Sequence, residues 1–408
     1  MYNSKLKTIK TYEDMYYYLS SGFTCIVIDG FKECIVIETK ETLDRGVSEP
    51  TTEVTVKGPK DAFTENYNKN LGLVRKRIKD ENLRIKEYKL GRRTKTKVSL
   101  LYIKDIALKE RVNKIKEKLE NIDIDGILDV GYIRDFLVED NYSSFPTVIN
   151  TERPDIVSSA LLEGKVAIVV ENTSNVLVIP GLLNNFIHSP EDSYQKAINI
   201  SMTRFLRLLA LIITITTPAL YIAITTFNQE IIPDTLLISL ALQRNNVPFP
   251  NAIDIIILML TFEILREGDM RLPSSMGTSI SIVGALVLGD AAVNAGLVAP
   301  MAVIIVAVSS ITGLLFTDLD IVNAFRWWRM IFLFFSITMG LIGFVCAGLI
   351  FITKITSMES FGVGYLEPFS PFNKSMFQDA IVTKPHNKMK YRPSFMTKNA
   401  KRLGDKND

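Results

Sequence analysis

The chemistry available to this sequence rests on a few charged and amide side chains set in apolar surroundings. Asp290 and Asn294, four residues apart, lie in the band Leu272–Thr317, which is otherwise mostly apolar or small. Asp254 and Glu263 lie toward the two ends of a second apolar run, Ala252–Leu265. A carboxylate held against lipid costs roughly 2.5–3.5 kcal/mol on insertion scales, so such groups face protein or water and mark ion pathways. On one helical side the stripe Ser275, Ser279, Val283, Leu286 and Asp290 is polar at its ends and apolar between them. Repeated around an oligomer, it would make an apolar constriction flanked by polar rings, one form of gated pore. We read Ser279, Val283, Leu286, Asp290 and Asn294 as pore-lining, and Asp254 and Glu263 as intramembrane or gating charges. For Glu263 the alternative is an ordinary interfacial pair with Arg266. Gly277, Ser281, Ala285 and Gly289 recur every four residues on another side, where small residues permit close helix packing.

Other chemistries find little support. Two histidines, His188 and His386, are too few for a histidine-based site. Cys25, Cys34 and Cys346 form neither a disulfide framework nor a metal-ligand spacing. Cys25 and Cys34, facing across an expected hairpin, read as reduced thiols. Asp123-Ile124-Asp125-Gly126 opens like a calcium loop, but its twelfth position is Arg134 instead of Glu. There is no glycine-rich phosphate motif. We expect no enzyme, no cofactor, no metal and no nucleic-acid partner. The basic cluster Arg92, Arg93, Lys95 and Lys97 reads as a solvated turn; its functional alternative is contact with anionic lipid, worth roughly 1 kcal/mol per residue.

The elements that must position these groups divide the 408-residue chain in two. Residues 1–200 are charged and soluble in character, and no apolar segment follows the basic Met1–Lys10, so the expectation is a cytoplasmic domain. From Phe205 to Thr353 the chain is largely apolar. The runs Phe205–Phe227, Leu272–Gly289, Ala291–Thr317 and Met330–Thr353 approach or exceed the length that crosses a bilayer, and Ala252–Leu265 is a shorter fifth segment. Arg204 and Arg207 mark the cytoplasmic end of the first crossing. Leu236–Leu242 is expected along the interface. A cytoplasmic N-terminal half and a basic cytoplasmic tail require an even number of crossings. One of the five segments is then re-entrant or broken, and the helix before Asp290 is the candidate, because Gly289, Asn294 and Gly296 permit a break. This arrangement sends Arg326 and Arg329 to the outer side, against the charge rule; a five-span alternative puts the tail outside.

Within the soluble half, segments 11–38 and 151–180 repeat at an offset of 142 residues without a gap. Each reads as a helix ended by glycine and then two short strands, turning at Asp29-Gly30 or at Asn172–Asn175. Between them the patterns give a helix over Asp61–Ile78, a hairpin of Leu83–Leu90 and Lys95–Ile103, and helices over Glu110–Leu119 and Ile127–Val138. The fold expected is therefore an α/β cytoplasmic domain of two related subdomains, the first incomplete, followed by an all-α polytopic membrane domain. The boundaries are 1–60 and 61–195 for the subdomains, 201–354 for four full spans plus one re-entrant or broken helix, and 355–408 for the basic tail. A neighbouring subunit completing the first subdomain is the alternative.

The motifs NTERPD (Asn150–Asp155), SPED (Ser189–Asp192), VPFP (Val247–Pro250), FEILRE (Phe262–Glu267), RLP (Arg271–Pro273), SIVGALVLG (Ser281–Gly289) and FGVGYLEP (Phe361–Pro368), in this order, resemble the A subunit of GerA-type spore germinant receptors. Members usually carry roughly one more half-subdomain at the N-terminus, in agreement with the incomplete first repeat. The resemblance implies a multi-pass protein of the spore inner membrane acting with a transporter-like B subunit and a lipoprotein C subunit. It also implies a homo-oligomeric, pentameric channel that releases monovalent cations in response to nutrients. The stage V sporulation AF-type proteins are a paralogous alternative, and a secondary transporter component or a non-conducting scaffold are the others.

Overall fold

The structure is a computed structural model and describes residues 6–20, 23–37, 46–271, 289–372, 379–399 and 401–402. Its N-terminal unit is a three-stranded antiparallel sheet with one helix: β1 (Leu6–Ile9), α1 (Tyr12–Ser20), β2 (Thr24–Val27) and β3 (Cys34–Ile37), in the order β1-β3-β2. The second unit begins with α2 (Tyr67–Arg77), β4 (Leu83–Leu90), β5 (Thr96–Ile103), α3 (Lys109–Glu120) and α4 (Val130–Leu137). It closes with β6 (Ile149–Thr151), α5 (Pro154–Leu162), β7 (Val166–Val170) and β8 (Val176–Ile179), and its sheet order is β4-β5-β7-β8-β6. The offset of 142 residues carries α1 onto α5 and the starts of β2 and β3 onto those of β7 and β8. The pairing agrees as well: β1 and β2 flank β3 as β6 and β7 flank β8. The first unit therefore reproduces the closing half of the second. In the second unit β5 pairs with the outer edge of β7, whereas the corresponding edge of β2 has no partner strand among the described residues.

Alternation along the strands builds two cores. Val98, Leu100, Ile168, Leu177 and Ile179 face α3 and α4; Leu101, Ile103, Ala167, Val169, Val176 and Val178 face α2 and α5. A sheet buried on both faces needs apolar residues at consecutive positions, hence Val166–Val170 and Val176–Ile179. The helix expected over Asp61–Ile78 starts only at Tyr67, where Asn66 caps it through Oδ1 and the Lys69 amide. The basic turn is paired within the chain: Arg92 with Asp123 at 2.5 Å, Arg93 with Asp125 at 2.8 Å and Lys95 with Glu13 at 2.7 Å. The acids of the failed calcium loop are thus the partners of this turn.

The helical half comprises α6 (Leu183–Ile187), α7 (Ala197–Ile222) continued by a π-helical turn (Ala223–Phe227), α8 (Asp234–Arg244), α9 (Asn251–Asp269), α10 (Pro300–Gly313) and α11 (Leu319–Ser357). Two described helices are long and apolar enough to cross a membrane, Ala197–Phe227 and Leu319–Ser357. The second is not one straight rod. At Gly340 the backbone leaves the helix (φ 60°, ψ −135°), and the two arms return on each other. Phe332 meets Phe344 and Phe351 at ring separations of 5.5 and 5.9 Å, and Trp328 meets Phe351 at 4.9 Å. The arms, 319–339 and 341–357, are about 31 and 25 Å long at 1.5 Å per residue.

This fold-back corrects the reading of Met330–Thr353 as one crossing and the outward placement of Arg326 and Arg329. Both ends of α11 meet the α/β domain: Asp320 pairs with Arg134 at 3.0 Å and Lys354 with Asp140 at 2.9 Å. The tip reaches the far end of α7, where a Cβ on Gly340 would stand 2.6 Å from Cβ of Phe227. Arg326 and Arg329 therefore lie toward the α/β-domain end of the helices. The acidic loop Thr317–Asp320 lies at that end too, with Asp318 capping α11 through the amides of Asp320 and Ile321. The run Ala291–Thr317, expected as one crossing, is also interrupted. Helical residues 289–294 end in a turn at Gly296 (φ 66°), and α10 starts anew at Pro300. The tail docks on the α/β domain: Arg392 donates to the Leu162 carbonyl at 2.8 Å, Arg111 to that of Met396 at 3.1 Å and Thr397 to that of Ile106 at 2.5 Å.

Candidate functional site

Of the expected pore stripe, Ser275, Ser279, Val283 and Leu286 lie outside the described residues, as do Gly277, Ser281 and Ala285 of the small-residue face. The rest of the stretch is present. A Cβ on Gly289 would stand 3.5 Å from a methyl of Val303 on α10, so the Gly289 side faces that helix. Asp290 and Asn294, one helical turn apart, are both exposed on a chain whose neighbouring surfaces are apolar. Leu297 on the following turn is bare, as are Ile304, Ile311 and Leu314 along α10 and at its end. An exposed acid and amide in such surroundings must meet water or another protein surface.

Glu263, on the last turns of α9, gathers three arginines: Arg266 at 3.6 Å, Arg326 at 2.6 Å and Arg329 at 2.7 Å. The alternative of a pair with Arg266 is present, but the two shorter pairs come from α11, which no local spacing could have disclosed. Arg329 is buried, and its guanidinium also donates to Ser309 Oγ at 3.3 Å. Ser309 in turn donates to the Thr214 carbonyl at 2.8 Å, and Thr214 and Thr312 hydroxyls lie 2.9 Å apart. A polar chain therefore links α9, α11, α10 and the middle of α7. Satisfied in this way, a buried guanidinium holds one helix arrangement in preference to others.

Asp254 is fully buried at the other end of α9, and neither carboxylate oxygen has a hydrogen-bond partner among the described residues. The charge of Arg244 and the backbone of Ala299 are the groups that act on it. Asn251, one turn earlier, donates to Thr225 Oγ1 at 2.5 Å and leaves its own oxygen unpartnered. Asp254 and Glu263 thus mark opposite ends of α9 and do not form one site with each other or with Asp290.

A third constellation, built from Asp192 of the SPED motif and the arginines expected only to mark the start of the first crossing, joins the α/β domain to the helices. Asp192 accepts from Arg204 at 3.1 Å and Arg207 at 2.8 Å, and Arg204 also reaches Asp379 of the tail at 3.2 Å. Burial works to raise the Asp192 pKa, but the Arg207 hydrogen bond and the two positive charges hold it below the usual range. His188 Nε2 lies 3.0 Å from the Ala380 carbonyl, and burial, with Arg204 close by, lowers its pKa to about 4. Arg153 of NTERPD is wholly buried and donates to Asp155, Thr55 Oγ1 and the Pro59 carbonyl at 2.8–3.1 Å. It fixes the connection between the two α/β units. Glu53 on that connection is pushed up to about 7 by burial against hydrogen bonds from Thr151 and the Glu152 amide. Lys165, buried with its ammonium on Asn185 Oδ1 at 2.7 Å, is lowered to about 8 by burial. Glu53, Asp155, Lys165, His188, Asp192 and Arg204 line a junction cavity of about 430 Å³.

Beside it Phe145 is the aromatic contact between the halves, with ring separations of 6.0–6.5 Å to Phe325, Trp328, Phe351 and Tyr365. SPED and NTERPD therefore hold the junction, FEILRE supplies Glu263 and Arg266, and the tyrosine of FGVGYLEP completes the aromatic contact.

Comparison with known proteins agrees with this distribution of motifs. The chain matches the family described as Bacillus/Clostridium GerA spore germination protein over residues 1–395. Spore germination protein KA of Bacillus subtilis (strain 168) is 38% identical over 396 residues, 97% of this chain and 73% of that protein. Spore germination protein B1 of the same organism is 34% identical, over 96% of this chain and 81% of its own length. The crystal structure of the N-terminal domain of the A subunit of the Bacillus megaterium spore germinant receptor GerK3 is 36% identical, over 44% of this chain and 64% of that one, with a TM-score of 0.26. The chain belongs to the GerA family of spore germination proteins, the family of germinant-receptor A subunits.

Proposed function

We propose that this protein is the channel-forming A subunit of a nutrient-responsive receptor in the spore inner membrane. Several copies, five in the family reading, surround a cation pathway lined by Asp290 and Asn294 together with Ser279, Val283 and Leu286. A transporter-like B subunit and a lipoprotein C subunit complete the receptor. The observation that carries this reading is the exposure of Asp290 and Asn294 on one helical side, beside apolar surface and opposite the side that packs on α10. A carboxylate there is costly against lipid and inexpensive beside a water-filled axis. Gating is assigned to the helices themselves. The Glu263–arginine cluster and the Asp192 junction connect the α/β domain to α7, α9 and α11, so a rotation of that domain is transmitted to α10 and residues 289–294.

The test is cation flux from liposomes containing the purified chain, alone and with the B and C subunits. Flux that Asp290→Lys abolishes and Asp290→Asn diminishes supports the assignment. A chain that assembles but conducts nothing in either setting refutes it.

A further inference from the structure

The arginine cluster around Glu263 holds more positive charge than the protein neutralises. Arg266, Arg326 and Arg329 converge on the single carboxylate of Glu263. The neighbouring acids are committed elsewhere: Glu267 pairs with Arg271 at 2.5 Å and Asp320 with Arg134 at 3.0 Å. The amide oxygen of Asn323 is shared, accepting from Arg326 at 3.1 Å and Arg266 at 3.5 Å. Among the described residues the Nε groups of Arg266 and Arg329 have no hydrogen-bond acceptor, that of Arg266 reaching Glu263 only as an ion pair at 3.6 Å. Three guanidinium groups against one carboxylate leave an excess of two positive charges.

The setting selects the counter-ion. Arg326 and Arg266 are partly open, with side chains 32% and 25% exposed, while Arg329 behind them is closed. Trp327, next to Arg326, is exposed. On one side of this level Asp320 is tied to the α/β domain; on the other, Leu260 and Phe334 are bare apolar side chains. The cluster therefore stands where charged rim gives way to apolar belt, the depth of lipid headgroups, where tryptophan and snorkelling arginines concentrate. Paired guanidinium groups match the oxygens of a phosphate, and basic clefts between helices on the cytoplasmic side take anionic headgroups.

We infer that the arginine cluster between α9 and the first arm of α11 binds the phosphate of an anionic phospholipid through Arg266 and Arg326. Arg329 supplies charge from behind, and the acyl chains run along the bare faces of α9 and α11. The lipid completes the charge balance of the cluster that connects α9 to α11, so the membrane's anionic content sets how firmly those helices are held. This site stands whether or not the protein conducts ions.

The experiment measures the thermal unfolding of the purified full chain in neutral detergent with added phosphatidylglycerol, phosphatidylcholine or inorganic phosphate. Native mass spectrometry of the same samples counts bound lipid. Phosphatidylglycerol is expected to raise the unfolding temperature and remain bound. Phosphatidylcholine and inorganic phosphate should do neither. The double variant Arg266→Gln/Arg326→Gln should bind phosphatidylglycerol at least tenfold more weakly, and Arg93→Gln, an exposed arginine of the α/β domain, as the natural sequence does. Glu263→Gln, which removes the competing carboxylate, should bind several-fold more tightly and provides the test if the double variant does not fold. Equal response to phosphatidylcholine, an equal shift with inorganic phosphate alone, unchanged binding by the double variant, or no gain from Glu263→Gln would each overturn the assignment.

Discussion

Gly340 shows how much one residue decides. Its backbone lies at φ 60°, a region that L side chains rarely adopt, and a Cβ there would meet Phe227 at 2.6 Å. Gly340→Ala should therefore destabilise the helical half by about 1–3 kcal/mol, the usual cost of such a backbone position, lowering its unfolding temperature in detergent. Asp192 is the corresponding residue at the junction. Asp192→Asn leaves buried Arg204 with Asp379 alone and half-buried Arg207 with no carboxylate, and should cost about 3–5 kcal/mol, whereas the exposed pair Arg93–Asp125 can be removed with little effect. His188 gives the pH signature. Its folded pKa, about 4, lies below its unfolded value of 6.5, so the unfolded chain takes the proton first. Its stabilisation is complete above pH 6.5 and is lost as pH falls toward 4. Chemical denaturation across that window should fall less steeply in His188→Gln than in the natural sequence. None of these roles was legible from residue type. Glycine is common in membrane helices, and Asp192 and His188 acquire partners only through Arg204, Arg207 and the tail.

At the scale of elements, the two halves differ in how much their sequence discloses. In the α/β half, local signals and the repeat agree. The hairpin Leu83–Leu90 with Thr96–Ile103 is where alternation and the Gly91 turn put it, and α1 and α5 correspond residue for residue. In the helical half hydropathy measures burial in lipid or protein but not direction. A run of 24 apolar residues, Met330–Thr353, reads as one crossing and is two arms that meet at Gly340. Phe332, Phe344 and Phe351, which hold those arms together, are indistinguishable in sequence from lipid-facing phenylalanines. The fold-back is open to direct test in a background with the three native cysteines replaced. Single cysteines at Leu319 and Ser357 should react with an impermeant thiol reagent from the side bearing the α/β domain, and one at Met339 only from the opposite side. Labelling of 319 and 357 from opposite sides would restore the single crossing.

At the scale of the whole molecule, three of the charged stations among the described residues bear on how the helices are held. The Asp192 junction ties the α/β domain and the tail to α7; the Glu263 cluster ties α9 to α11; Asp290 and Asn294 stand open beside α10. Phe145 connects the first two, and Phe145→Ala, leaving a cavity among four aromatic rings, should cost about 3–5 kcal/mol and loosen the α/β domain from the helices in proteolysis. NTERPD, SPED, FEILRE and the tyrosine of FGVGYLEP, spread over both halves, thus stand at joints between elements. We propose that these joints position a cation pathway at Asp290. Single-channel recording of the purified protein in a planar bilayer is the test, with Asp290→Lys and Asp290→Asn beside the natural sequence. We predict a cation-selective conductance that falls by at least about tenfold when the acid becomes a lysine, as a reversed charge in a low-dielectric constriction requires, and by less with asparagine. Equal conductance and selectivity in all three proteins would contradict the account.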